Sequence, residues 1–170
     1  ANGTTIDFST PAKNKKGIDA DMVALVNAMN AGQVGALIMH GVNPAYEYFD
    51  SAKFVEGLKK VKTSISFADR LDETAKLVKY VVSDHHWLES WGDTEAKEGY
   101  ISFIQPTIAP LFKTRAFQDS LLKWAGATET YHDQFNAYWA GKLGQATFDK
   151  ALQDGIIEPA TPSIVGASFA

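Results

Sequence analysis

Residues 34–44 read Val34-Gly35-Ala36-Leu37-Ile38-Met39-His40-Gly41-Val42-Asn43-Pro44, an unbroken apolar run that ends in a turn. A run of strand length without polar alternation is the pattern of a strand covered on both faces, as in a parallel sheet. The turn has three devices: Gly41 supplies backbone freedom, Asn43 can hydrogen-bond locally, and Pro44 stiffens the exit. Ligands of open parallel sheets sit beyond the carboxyl ends of the strands. Gly41, Asn43 and Pro44 are therefore the candidate binding residues, the glycine allowing close approach of a phosphate and the asparagine donating to an anionic oxygen. The same residues also make an ordinary tight turn, and the fuller GxGxxG spacing that would make the motif specific is missing.

Working outward, the neighbouring segments alternate between the two periodicities. Thr5, Ile6, Asp7 and Phe8 form a short period-2 run. Asp19 is placed to cap a helix carrying Met22, Leu25, Val26 and Met29 on one face, with Gly32 past its end. Asp50 or Ser51 opens another helix with Phe54, Val55 and Leu58 inward, and Val61, Thr63, Ile65 and Phe67 then alternate with Lys62, Ser64 and Ser66 as a strand. Asp72 is placed to cap a short helix through Leu77, and Tyr80, Val81 and Val82 make a further strand. This order predicts an α/β fold with a doubly wound, mostly parallel sheet of Rossmann or flavodoxin-like kind, in which the turn at residues 41–44 ends a central strand.

The second half changes character. Residues 100–105 predict an edge strand, and Pro106 and Pro110 interrupt the chain beyond it. Three helical stripes come next: Phe117, Leu121 and Trp124 ending at Gly126; Tyr131, Phe135 and Tyr138 ending at Gly141; and Phe148, Ala151 and Leu152 ending at Gly155. The expected organisation is an α/β domain over residues 1–112, a helical C-terminal extension packed on it over 113–157, and a loose tail over 158–170.

Composition bounds the chemistry. The 170 residues suffice for one ordinary domain, and 45% apolar content with ten Phe, six Tyr and four Trp supports a packed core. A net charge of −4 without a basic run argues against nucleic acid as a partner. The chain has no cysteine, which excludes disulfides, thiolate nucleophiles and cysteine-held iron–sulfur clusters within it. No apolar run approaches the roughly 20 residues that span a bilayer, so direct membrane insertion is not expected. No secretory signal is legible, the chain opening on polar residues.

One cluster invites a metal or acid–base reading: Asp84, His85, His86, Trp87, Leu88, Glu89, Trp91 and Asp93. Adjacent histidines diverge by about 100° on a helix and to opposite faces on a strand, so His85 and His86 do not share one metal easily. His85 and Glu89 share a face if the stretch is helical, but two ligands are too few for a closed site. The expectation is a packed turn with Trp87, Leu88 and Trp91 at the edge of the core and no metal. His40 and His132 read as structural residues, and Asp93, Glu95 and Glu98 as a solvated turn.

Residues 34–44 resemble the strand and turn of the cofactor-binding lobes in molybdopterin (bis-guanine-dinucleotide) oxidoreductases. Residues 72–93, DETAKLVKYVVSDHHWLESWGD, resemble a later stretch of the same family, with its ETA helix, short strand and turn containing Glu89. The segment LESWGD, followed by Gly99, Tyr100 and then residues 105–112, QPTIAPLF, is similar to the fused molybdopterin-like and iron–sulfur subunit of bacterial alternative complex III, a membrane quinol oxidoreductase. The likeness runs from about residue 4 to about residue 159. It departs from the family at Ser83, where a proline is usual, and it lacks the cluster cysteines.

The resemblance implies a fragment of an electron-transfer subunit: a structural domain without its own cofactor, iron–sulfur clusters lying elsewhere in the parent. The partners it implies are other domains or subunits of a respiratory complex, on the outer (periplasmic) face of the bacterial inner membrane. Two alternatives stand beside it. One is a pterin-dinucleotide-binding lobe of an active molybdoenzyme, which would hold phosphates near Gly41, Asn43 and Pro44. The other is a stand-alone small-molecule binding module.

Overall fold

The computed structural model describes residues 11–14 and 16–159, so the expected strand at Thr5 to Phe8, and the tail beyond residue 159, lie outside the described residues. The chain folds as two compact units. One holds Gly17–Glu89 and Ile108–Thr128; the other holds the described residues of Ala1–Lys16, Ser90–Thr107 and Glu129–Ala170.

The first unit is built on three parallel strands. Helix α1 (Asp19–Asn30) precedes β1 (Ala36–His40); α2 (Pro44–Glu47) and α3 (Ser51–Lys60) lead to β2 (Thr63–Ala68), and residues 69–79 lead to β3 (Tyr80–Ser83). The sheet order is β1-β2-β3, with Ala36 opposite Thr63 and Ile65 opposite Tyr80. Val26, Met29, Met39, Phe54, Leu58 and Val61 form its core. The approach of α1 to α3 depends on Gly57, where an added Cβ would lie 2.9 Å from the Met29 Cβ. The Asn30 amide then spans both helices, donating to the Val26 and Lys53 carbonyls at 2.9 Å each.

Three expectations change here. Strand β1 is the edge of the sheet rather than its centre, and only Met39 of its five residues is buried. With one neighbouring strand only, Ile38 is 46% exposed, so the apolar run marks strand type without marking position. The central strand is β2, and its polar Ser64 and Ser66 are buried because both of its faces are covered. Asp72 does cap: its Oδ1 accepts from the Ala75 N–H at 2.7 Å, but residues 73–77 form turns rather than a helix. At α1 the N-cap is Ile18, with Asp19 inside the first turn, where its charge favours the helix dipole.

The second unit carries an antiparallel sheet of β4 (Gly92–Lys97), β5 (Tyr100–Ile104) and β6 (Ile156–Ile157), in the order β4-β5-β6. Residues 100–105 thus give a central strand and not an edge. Asp93 and Glu95 belong to β4 rather than to a turn, since the two-residue Glu98-Gly99 connection, with Gly99 at φ 79°, closes a hairpin. Helices α5 (Tyr131–Leu143) and α6 (Gln145–Asp154) complete this unit, whereas α4 (Phe117–Trp124) belongs to the parallel-sheet unit. The units therefore do not follow a division at residues 112/113. Helix α5 runs through Gly141 and stops at Gly144, where φ is 80°.

Phe103 of β5 is the hub of this second core. It meets Phe135, Trp139 and Phe148 edge-on, with ring centroids 5.9, 5.1 and 5.7 Å away. Trp91 stacks on His132 at 4.4 Å. Trp87 does not join a core: it is 66% exposed, because residues 87–89 form one 3-10 turn that points the indole outward. The fold is α/β, with two separate three-stranded sheets among the described residues rather than one continuous wound sheet.

Candidate functional site

The parallel strands all end on one side, and the residues leaving them line a cavity of about 450 Å³. Strand β1 contributes Gly41, Val42 and Asn43, β2 contributes Asp69, Arg70 and Asp72, and β3 contributes Asp84, His85, His86 and Trp87. This is where an open parallel sheet presents ligands.

The predicted residues occupy its first edge. Gly41 turns the chain at φ 61°, and its N–H donates to the Phe67 carbonyl at 3.2 Å. Pro44 starts α2 and is buried. Asn43 is held at both ends of its amide: its Oδ1 accepts from the Thr74 N–H at 3.0 Å and from the Thr74 hydroxyl at 2.7 Å, while its Nδ2 donates to Glu73 Oε2 at 2.7 Å. Thr74, with no exposed surface, accepts in turn from the Ala45 N–H at 2.9 Å. Asn43 thus ties the first connection to the second. Its hydrogen bond to Glu73 is the main reason that the Glu73 carboxyl is held below the usual range.

The other edges are acidic. Glu47, Asp69, Asp72 and Asp84 line the cavity, and the guanidinium present, that of Arg70, is paired with Asp69 at 2.8 and 3.0 Å. That pairing holds the Asp69 carboxyl low. The lining thus combines four carboxylates with one guanidinium and the side chains of His85 and His86.

Asp84 is the organising residue that sequence reasoning missed. Its Oδ1 accepts from the His85 N–H at 2.9 Å and from the Phe117 N–H at 2.8 Å, anchoring the start of α4. Its Oδ2 accepts from His40 Nε2 at 2.7 Å. His40 ends β1 and Asp84 follows β3, 44 positions away and across the intervening β2, so only the strand order brings them together. The His40 ring is stacked on Phe117 at 4.2 Å and lies edge-on to Phe67 at 6.5 Å.

Glu89 is a second structural anchor. Its buried carboxylate accepts from the Leu111 N–H at 2.9 Å and the His86 N–H at 3.0 Å, and these two backbone donors hold its carboxyl below the usual range. His85 Nδ1 stands 3.8 Å from Glu89 and 2.6 Å from the Thr114 hydroxyl, while the His86 N–H is used by Glu89. Among the described residues, no group of three or more His, Asp or Glu side chains is arranged to hold a metal ion. No helix among them is long and apolar enough to cross a membrane.

No family model matches the sequence, and no curated protein does. Among solved structures, acetylene hydratase from Pelobacter acetylenicus is similar, with a TM-score of 0.62 at 17% identity over 85% of this chain. The match covers 22% of that enzyme's chain, so this chain spans about a fifth of its length. The likeness is one of fold.

Proposed function

We propose that this chain is a structural domain of a larger molybdopterin-oxidoreductase-like subunit and holds no cofactor of its own. The observation that carries the reading is the state of the turn at residues 41–44. Its asparagine is tied to Thr74 and Glu73, and the crevice beyond it is lined in large part by carboxylates. A crevice built for two phosphates needs N–H groups and cations facing it, and here the carboxylates of Glu47, Asp69, Asp72 and Asp84 outnumber the single guanidinium of Arg70.

The finer reading places the parent in a quinol-oxidising membrane complex of the alternative complex III kind, on the outer face of the bacterial inner membrane. Its partners there are the other domains and subunits, and the iron–sulfur clusters lie elsewhere in the parent. Support for this comes from the LESWGD and QPTIAPLF segments. The pterin-dinucleotide lobe is the competing reading, favoured by the location of the crevice at the carboxyl ends of parallel strands.

Isolation of the native parent with an antibody raised to this chain separates the two. The proposal expects a membrane-associated assembly containing iron, without stoichiometric molybdenum or tungsten. A soluble protein with one molybdenum or tungsten per chain would overturn it in favour of the dinucleotide lobe.

A further inference from the structure

In a parallel ladder, alternate residues of a strand turn both N–H and C=O to the same neighbour. The Thr63 N–H donates to the Gly35 carbonyl at 3.0 Å and the Gly41 N–H donates to the Phe67 carbonyl at 3.2 Å, which assigns Leu37 and Met39 to β2. The backbone groups of Ala36, Ile38 and His40 therefore face away from β2, and no described residue pairs with β1 on that side. Sheet edges are commonly blunted by lysine, proline or a bulge. Strand β1 has none of these: it reads ALIMH, in unbroken register with β2. The opposite edge, β3, follows Lys79, and its Ser83 carbonyl accepts from the Arg115 N–H at 3.4 Å. An apolar groove walled by Met22, Leu25, Leu37 and Met39 runs along the β1 edge.

Charge is divided between the two ends of this sheet. At the carboxyl ends of the strands lie Asp19 and Asp21, in the first turn of α1, with Glu47, Asp72 and Asp84; Arg70 is there too, paired with Asp69. At the amino ends, Lys60 closes α3 and donates to the Asn30 carbonyl at 2.6 Å, while Lys79 donates to the Lys62 carbonyl at 2.6 Å. A second copy added antiparallel sets the acidic end of one sheet beside the basic end of the other, whereas parallel addition sets like charges together.

We propose that two copies of this chain pair along β1, antiparallel about a two-fold axis at Ile38, into one continuous sheet. Ile38 then stands opposite Ile38 of the second copy, and Ala36 opposite His40, so the small residue faces the large one. Each pair exchanges N–H and C=O groups in both directions. Pairing uses up the edge, so association closes at the dimer.

The 170-residue chain should sediment as a dimer, and hydrogen exchange reads the pairing residue by residue. The Leu37 and Met39 amides, bonded to β2, should exchange slowly at every protein concentration, and those of Ile38 and His40 should slow only as the dimer forms. Ile38→Pro removes one outward N–H from each copy and spares the ladder with β2. The loss of two hydrogen bonds should weaken dimerisation about fivefold to 150-fold. Ile38→Lys places like charges opposite each other on the axis and should also give monomers. Exchange in the unaltered chain decides the matter if both variants fail to fold. A chain that stays monomeric at about 0.1 mM, or a dimer that survives both substitutions, would overturn the proposal. So would Ile38 and His40 amides that are protected at every concentration, since another segment of the same chain would then hold the edge.

Discussion

Replacing Asn43 by alanine separates a structural staple from a ligand contact. The side chain provides the acceptor for the Thr74 N–H, 3.0 Å away, and Thr74 has no exposed surface. Alanine leaves that buried donor without a partner, which costs about 1–3 kcal/mol. At about 2–4 °C per kcal/mol for a chain of this size, the melting temperature of the parallel-sheet unit should fall by roughly 2–12 °C. The same loss predicts roughly five- to 150-fold faster hydrogen exchange at the Ala45 amide, which is held by the Thr74 hydroxyl at 2.9 Å. Asn43→Asp sharpens the case. The new carboxylate keeps the acceptor for Thr74 but stands against Glu73, which the Asn43 amide approaches at 2.7 Å. Two carboxylates that close cannot both ionise cheaply, so this variant should be weak at neutral pH and recover as acid protonates the pair. If Asn43→Ala melts within about 0.5 kcal/mol of the unaltered chain, and Ala45 exchange is unchanged, the staple reasoning is wrong.

Other expectations rest on the two cores and the helix caps. Trp139→Ala should cost about 3–5 kcal/mol in urea denaturation, since the indole is 5% exposed and its Nε1 donates to Asp93 at 2.9 Å. Trp87→Ala, at 66% exposure, should stay within about 0.5 kcal/mol, and the reverse ranking would contradict the placement of both residues. Glu89→Gln should destabilise at neutral pH because one of the two backbone donors loses its acceptor. The Glu89 carboxyl is held low by Leu111 and His86, so its contribution is full above the ordinary glutamate value and is lost as pH falls through the lower folded value. The gap between the unaltered chain and the variant should therefore close in acid, and a gap that widens would refute the assignment. Thr130→Ala removes the capping box of α5 and should cost about 1 kcal/mol, read as faster exchange in the first turn of that helix.

Legibility in the sequence depends on distance along the chain. Local devices agree with the structure: Asp50 accepts from the Lys53 N–H, α6 stops at Gly155 in the left-handed conformation, and Phe135 and Phe148 face a core. Gly141 misleads because a lone glycine costs a helix only about 1 kcal/mol, and Leu143 packs against the core on the far side of it. Edge and centre are reversed for β1 and β5 because strand order is decided by pairing partners tens of residues away, which periodicity does not carry. Trp87 and Trp91 share a face only if the segment between them is helical. A single 3-10 turn lies at that point, and the two indoles belong to different units. At the candidate site, Gly41, Asn43 and Pro44 are legible as a turn. Thr74 and Asp84, which consume or organise the local polar groups, are invisible because their partners lie 31 and 44 positions away.

On the function proposed, the crevice at the carboxyl ends of β1, β2 and β3 does not take an anionic dinucleotide. Calorimetric titration with guanosine diphosphate, which carries the nucleoside and pyrophosphate of such a cofactor, tests it directly. No saturable heat is expected up to about 1 mM nucleotide, the weak limit of specific binding near 4 kcal/mol. Saturable binding that disappears in Asn43→Ala, while that variant remains folded at the temperature of the titration, would contradict it.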